Sequence, residues 1–238
     1  MGEKIGSGSQ GCVFDLQDTE KPSKTRMAIK FSTNTEKQNE EIQVLKTIRK
    51  SYKQNTERAA KSYPIPQIIS HGVFKMTFGE ITDASVCFYV MKQFDQNLEQ
   101  YFSTQNTLST KMVFSIVKKL IDAIQVVHEA GYVYNDIKLE NIMIQKSKDD
   151  SITDPKIILV DYGMAMRYQD DQGNHLQNKE MSKFCGNLIF ASLDVLKFNR
   201  PSRKDDLIML CYFLIYLLNG GDMPLIWDFL GDKENITK

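Results

Sequence analysis

Residues 134–163 constrain this chain more than any other part of it. They read Tyr-Asn-Asp-Ile-Lys-Leu-Glu-Asn over 134–141, then a short apolar run at 142–144, a polar excursion over 146–155, a second apolar run at 157–160, and Asp161-Tyr162-Gly163. Apolar runs this short, bounded by polar residues, predict two strands with acidic and amide groups at their ends. Asp136 supplies a carboxylate able to orient and deprotonate a hydroxyl, while Asn141 and Asp161 supply oxygen donors of the hard kind that magnesium prefers. Lys138, two residues beyond Asp136, is placed to reach a phosphate in transfer. A lone Asp or Asn here would read as a turn residue or a cap. The combination reads as a phosphoryl-transfer site.

The stretch resembles the catalytic loop and magnesium-binding motif of eukaryotic protein kinases, whose pattern is His-Arg-Asp, Lys two on, Asn five on, then Asp-Phe-Gly after two strands. Asp136, Lys138, Asn141, Asp161 and Gly163 stand where that family puts them, with Tyr134 for the His and Asn135 for the Arg. In many kinases that Arg answers a phosphate on the activation segment. With Asn135 in its place, activity is not expected to wait on such a switch.

At 238 residues the chain is long enough for one large domain or two small lobes with a real core. Its 30 basic and 30 acidic residues give no global field to draw it to nucleic acid or to an anionic membrane. Cys12, Cys87, Cys185 and Cys211 are widely spaced and imply neither a metal site nor a disulfide framework, which suits a reducing compartment. No secretory or transit segment is read at the start. The longest apolar run, 207–218, is short of the roughly 20 residues a spanning helix needs, so it predicts a buried helix. The expected location is the cytoplasm, with the nucleus as a second compartment.

Near the start, Gly6-Ser7-Gly8-Ser9-Gln10-Gly11 is a Gly-x-Gly-x-x-Gly followed by a β-prone stretch at 12–16, where a dinucleotide fold would instead open a helix. A polar turn follows at 18–24. A glycine loop between two antiparallel strands can cover phosphates with backbone amides. The next strand, 26–31, carries Lys30 in an Ala-Ile-Lys context. A helix over 35–50 presents Ile42, Val44, Leu45 and Ile48, and Glu41 leads that face as the expected partner of Lys30, with Glu40 the runner-up. A polar loop or frayed helix follows over 51–62, then strands over 65–72, 74–78 and 86–92. The best helix spans 110–131, with Val113, Ile116, Val117, Leu120, Ile121, Ile124, Val127 and His128 at helical spacing; His128 reads as a hydrogen-bonded core residue. Asp206, in Arg203-Lys204-Asp205-Asp206, is expected to hold the catalytic-loop backbone from below.

The resemblance narrows to the casein kinase I family with its tau-tubulin and vaccinia-related cousins. It is carried by Lys4-Ile5-Gly6-Ser7-Gly8-Ser9, Ile65-Pro66, Asn97-Leu98-Glu99 with Phe102, Phe190-Ala191-Ser192, and Arg203-Lys204-Asp205-Asp206-Leu207. It implies an α+β, two-lobed kinase fold: a small antiparallel lobe over about 1–92, a hinge at about 92–95 and a mainly helical large lobe over about 96–238. Its last helices are expected to be missing and its first strand shortened. It implies a serine/threonine protein kinase using ATP and magnesium. Asp136 and Lys138 would be catalytic, and Asn141 and Asp161 would hold metal. The nucleotide would meet Ile5, Gly6, Ser7, Gly8, Gly11 and Val13 from the glycine loop, Ala28, Lys30 and Glu41 from the sheet and helix, Met91, Lys92 and Phe94 at the hinge, and Met143 below. The expected partner is a protein with a Ser or Thr acceptor. Two departures bear on substrate choice: Asn187 replaces the threonine that usually bridges the catalytic Asp and Lys, and Ile189 replaces the arginine that casein kinases I use to read acidic or phosphorylated substrates. The rival readings are a pseudokinase or ATP-binding scaffold on the same fold and a small-molecule phosphotransferase, against which the separate segment at 186–192 argues.

Overall fold

The computed structural model describes residues 2–8, 11–16, 26–55, 63–78, 81–105, 108–145 and 155–223. The loop tip at Ser9 and Gln10, the turn at 18–24, the end of the polar stretch at 56–62, the excursion at 146–154 and residues 224–238 lie outside the described residues.

A five-stranded antiparallel sheet forms the first half. Its strands are β1 (Lys4–Gly8), β2 (Gly11–Leu16), β3 (Met27–Ser32), β4 (Ile68–Phe78) and β5 (Ile81–Lys92), in the order β1-β2-β3-β5-β4. The expected glycine loop is a hairpin with Gly8 opposite Gly11. Gly11 has φ of 145°, and a Cβ there would stand 2.1 Å from the Phe31 carbonyl oxygen, so only glycine fits. The 65–72 and 74–78 strands are one continuous β4, because Gly72 does not break it. Gly72 lies opposite Phe88, whose ring fills the space a side chain would take. β5 begins five residues before the expected 86 and runs antiparallel to β4 along nearly its whole length.

Helix α1 (Thr35–Gln54) packs on β5 and buries Ile42, Val44, Leu45 and Ile48. Asn34 caps it by accepting from the Lys37 N–H at 3.1 Å. It runs four residues beyond the expected end, because Tyr52 continues the apolar stripe and meets the Tyr63 ring edge-on at 4.7 Å.

Helices dominate the second half: α2 (Leu98–Gln105), α3 (Thr110–Glu129), the short α4 (Leu193–Leu196) and α5 (Arg203–Leu218). α3 buries the expected stripe and closes at Gly131. Ile121 is the exception, 48% exposed, since it stands about 100° round the helix from Leu120 at the stripe's centre. α5 packs on α3 and buries Met209, Leu210, Phe213 and Leu217. The helix is buried on that face only: Leu207, Ile215 and Leu218 are exposed, because α5 is apolar all round and the described residues cover one face. No helix among the described residues is long and apolar enough to cross a membrane.

Beneath the sheet, β6 (Gln96–Asn97), β8 (Ile142–Gln145) and β9 (Lys156–Leu159) make a small three-stranded sheet, and β7 (Tyr132–Val133) pairs with β10 (Met166–Arg167). β8 and β9 are the two apolar runs of the opening stretch. They are buried as a hairpin, which carries the residues before β8 and after β9 to one end. This is an antiparallel-sheet lobe above a mainly helical one, the α+β two-lobed architecture.

Candidate functional site

Between the sheet and the helices lies a cavity of about 510 Å³. Ile5, Gly6, Ser7, Gly11 and Val13 roof it from the β1–β2 hairpin. Ala28 and Lys30 on β3, Met91, Lys92 and Phe94 at the end of β5, and Met143 on β8 form its walls. Lys138, Asn141 and Asp161 close its polar end. Fourteen of the residues expected at the site therefore come together; Gly8, Glu41 and Asp136 are not in its walls. Gly8 is the last paired residue of β1, opposite Gly11, Glu41 stands behind Lys30, and Asp136 sits beside Lys138.

Lys30 is 5% exposed, and its Nζ donates to Glu41 Oε2 at 2.8 Å, Glu41 Oε1 at 3.0 Å and Asp161 Oδ1 at 3.1 Å. Glu41 is thus the partner, and Glu40 points to solvent. Burial acts to lower the Lys30 pKa, but the charges of Glu41 and Asp161 outweigh it and the net shift is upward, so the ammonium is held. Glu41 Oε1 also accepts from the Tyr89 hydroxyl at 3.0 Å and from the Tyr162 N–H at 3.1 Å. Sequence reasoning missed both donors. The signal for Tyr89 was present: two residues before Met91 on an alternating strand, it shares the face of Met91 and stands opposite Lys30. Gln38 was also missed. Its amide donates to the carbonyls of Lys30 and Cys87, both at 3.0 Å, tying α1 to two strands.

On the lower side, Asp136 and Asn141 are nearly buried, and Lys138 Nζ donates to Asp136 Oδ2 at 2.8 Å. Asn141 Nδ2 donates to Asp136 Oδ2 at 2.8 Å and to the Asp136 carbonyl at 2.9 Å. One carboxylate oxygen therefore faces both a cation and an amide. The loop is held as expected by Asp206, whose buried carboxylate accepts from the backbone N–H groups of Tyr134 and Asn135, both at 2.8 Å, and meets His128 Nε2 at 2.7 Å. Capping of α5 falls to its neighbour: Asp205 accepts from the Ser202 N–H and hydroxyl.

Asn135 and Asp161 have left-handed backbones, φ of 68° and 58°, which Asn and Asp tolerate better than most residues. Asn135 Nδ2 donates to the Met164 carbonyl at 3.0 Å, and its own carbonyl accepts from the Asn187 N–H at 3.3 Å. Asn187 does not bridge Asp136 and Lys138; its Oδ1 accepts from the Ile189 N–H at 2.8 Å. Tyr134 donates its hydroxyl to the Val160 carbonyl at 2.5 Å and packs edge-on against Tyr162.

Asn141 and Asp161 bring an amide and a carboxylate, hard donors of the kind magnesium takes. No cluster of three or more His, Cys, Asp or Glu able to hold a metal occurs among the described residues. A cation here would share its remaining positions with phosphate oxygens and water. The residues present fit that role.

The model of the protein kinase domain family matches residues 1–226. A probable casein kinase I homolog of Encephalitozoon cuniculi is 28% identical over 215 residues, 90% of this chain and 60% of that protein. The human serine/threonine-protein kinase VRK2 is 28% identical over 227 residues, 92% of this chain and 42% of that protein. The serine/threonine-protein kinase VRK1 of Caenorhabditis briggsae is 24% identical over 224 residues, 93% and 38%. The chain thus spans 60% or less of the length of these relatives.

Proposed function

The chain belongs to the protein kinase domain family, and from that premise we propose that it is a serine/threonine kinase of casein kinase I-like character, moving the γ-phosphate of ATP to a protein hydroxyl. The observation that carries this reading is the simultaneous assembly of both halves of the site: Lys30 on Glu41 above, and Asp136 with Lys138 and Asn141 below. The lobes would divide at about residues 92–95.

Asp136 orients the acceptor hydroxyl and takes its proton as the oxygen bonds to the γ-phosphorus and the bond to the ADP oxygen breaks. Lys138 places a positive charge beside the transferring group. Lys30, fixed by Glu41, grips the α and β phosphates, while Met91, Lys92 and Phe94 take the adenine. Asn141 and Asp161 would hold magnesium, which when bound neutralises phosphate charge.

A nucleotide-binding scaffold without catalysis is the second reading, and one observation favours it: Asn187 turns its oxygen to Ile189 and not to the Asp136–Lys138 pair. Thermal shift with millimolar magnesium and ATP tests what both readings share. A rise in Tm that is lost or weakened in Asp161→Asn is expected. A folded sample that gives no shift would remove the nucleotide from the account.

A further inference from the structure

The second half of α1 carries Lys46, Arg49, Lys50 and Lys53 and, over 42–55, no acidic residue. Spaced i, i+3, i+4 and i+7, the four cations fall on one face of the helix. Lys46, Lys50 and Lys53 are exposed, and none of the four pairs with a carboxylate among the described residues. Arg49 instead lies over the Tyr63 ring at 5.3 Å. A helix dipole is complemented by a cation in the last turn, where Lys53 stands, so the other three exceed what the helix itself needs. Beside this face runs β4, the end strand of its sheet, bonded to β5 on one side and to no strand among the described residues on the other. Ile69 and Val73 on β4 are 53% and 54% exposed. Between helix and strand lies a cavity of about 240 Å³, lined by Leu45, Lys46, Arg49, Ile68, Ile69 and His71. An apolar floor, a basic rim and an unpaired strand edge therefore meet at one place.

We propose that this groove docks an extended, acidic segment of a partner protein, which adds as a strand to the free edge of β4 and turns carboxylates toward α1. A strand added there lies about 4.8 Å from β4, and every second side chain points to the layer that α1 occupies. An apolar residue in that set enters the cavity over Leu45 and Ile68, and burying it supplies affinity. Acidic residues two positions before or after it meet Lys46 and Lys50, which gives the groove its preference for charge. The unpaired N–H and C=O groups of an edge strand are matched by another extended backbone and not by a nucleic acid or a lipid surface. The cavity is also smaller than the roughly 300 Å³ at which small-molecule sites usually begin, and it suits one or two side chains. The inference uses none of the phosphoryl-transfer residues, so it stands apart from the kinase reading.

The test selects short random peptides displayed on phage against the whole chain, then measures the enriched sequences as labelled synthetic peptides by fluorescence anisotropy. Enriched peptides should combine acidic and apolar residues at alternate positions and bind less tightly as salt is raised. Lys46→Glu and Lys50→Glu should each weaken binding by about tenfold or more, and Ile69→Asp by a similar factor. All three positions are exposed, and an unchanged Tm of the variants checks that they fold. No enrichment, enrichment of basic or uncharged peptides, or binding that all three variants keep would overturn the proposal. It would equally be overturned if the same substitutions removed binding of oligothymidylate or of phosphatidylserine vesicles that the acidic peptides fail to displace, since the surface would then serve a polyanion. A wild-type dimer in sedimentation velocity that Lys50→Glu dissolves would overturn it in favour of a second copy of the chain.

Discussion

Glu41 receives three donors from three places, Lys30 on β3, Tyr89 on β5 and the Tyr162 backbone beside Asp161, so one buried carboxylate reports whether the site is assembled. Tyr89→Phe removes a single hydrogen bond to a charged group, and a loss of about 1.5 to 3 kcal/mol in urea unfolding is expected, with a weaker grip on nucleotide. An unchanged urea midpoint would mean that the Tyr89 hydroxyl does not hold Glu41. The same cluster sets an alkaline limit. Burial pushes the Tyr89, Tyr134 and Tyr162 hydroxyls well up, and Lys30 is also raised. In each case the folded state keeps its proton while the unfolded chain releases it, so stability is full below the unfolded pKa values and falls as pH rises beyond about 10. A urea midpoint that stayed flat through that range would contradict the buried, protonated cluster.

Among the elements, α5 serves the site through its first turn. Asp206 has no exposed surface and is the shared acceptor for Tyr134, Asn135 and His128. Asp206→Ala leaves two buried N–H groups unpaired and is expected to cost about 3 kcal/mol or more, with loss of transfer, although it touches no substrate. A variant as stable and active as the wild type would show that the loop holds itself. Gly186→Ala tests the other attachment. The methyl group meets a backbone oxygen that cannot swing aside, so phosphorylation of peptides should fall at least tenfold while nucleotide binding persists. Equal activity would mean that the segment does not need its place on Asn135. These elements differed in how legible they were. The β8–β9 hairpin and the α1 and α3 stripes followed from periodicity, because each buries one face. The single β4 did not, since a glycine's role depends on the ring across the sheet, and Phe88 lies 16 positions further on.

For the molecule as a whole, the sequence carried the polar ends of the site because oxygen donors and cations at fixed spacing have few other uses. It did not carry the second layer around them. Tyr89 and Gln38 act through contacts set by strand register and by an inter-element hydrogen bond, and each alone reads as an ordinary core or helix residue. On the kinase reading, the two halves of the cavity make one catalytic unit and not merely a nucleotide pocket. The most direct measurement is transfer of radiolabelled phosphate from ATP with magnesium to a mixture of protein substrates, run beside Asp136→Asn. Label on serine or threonine is expected with the wild type, and loss of at least about a hundredfold in Asp136→Asn, which still shows the thermal shift with nucleotide. No label from a wild type that binds magnesium and ATP, or equal label from both proteins, would contradict it.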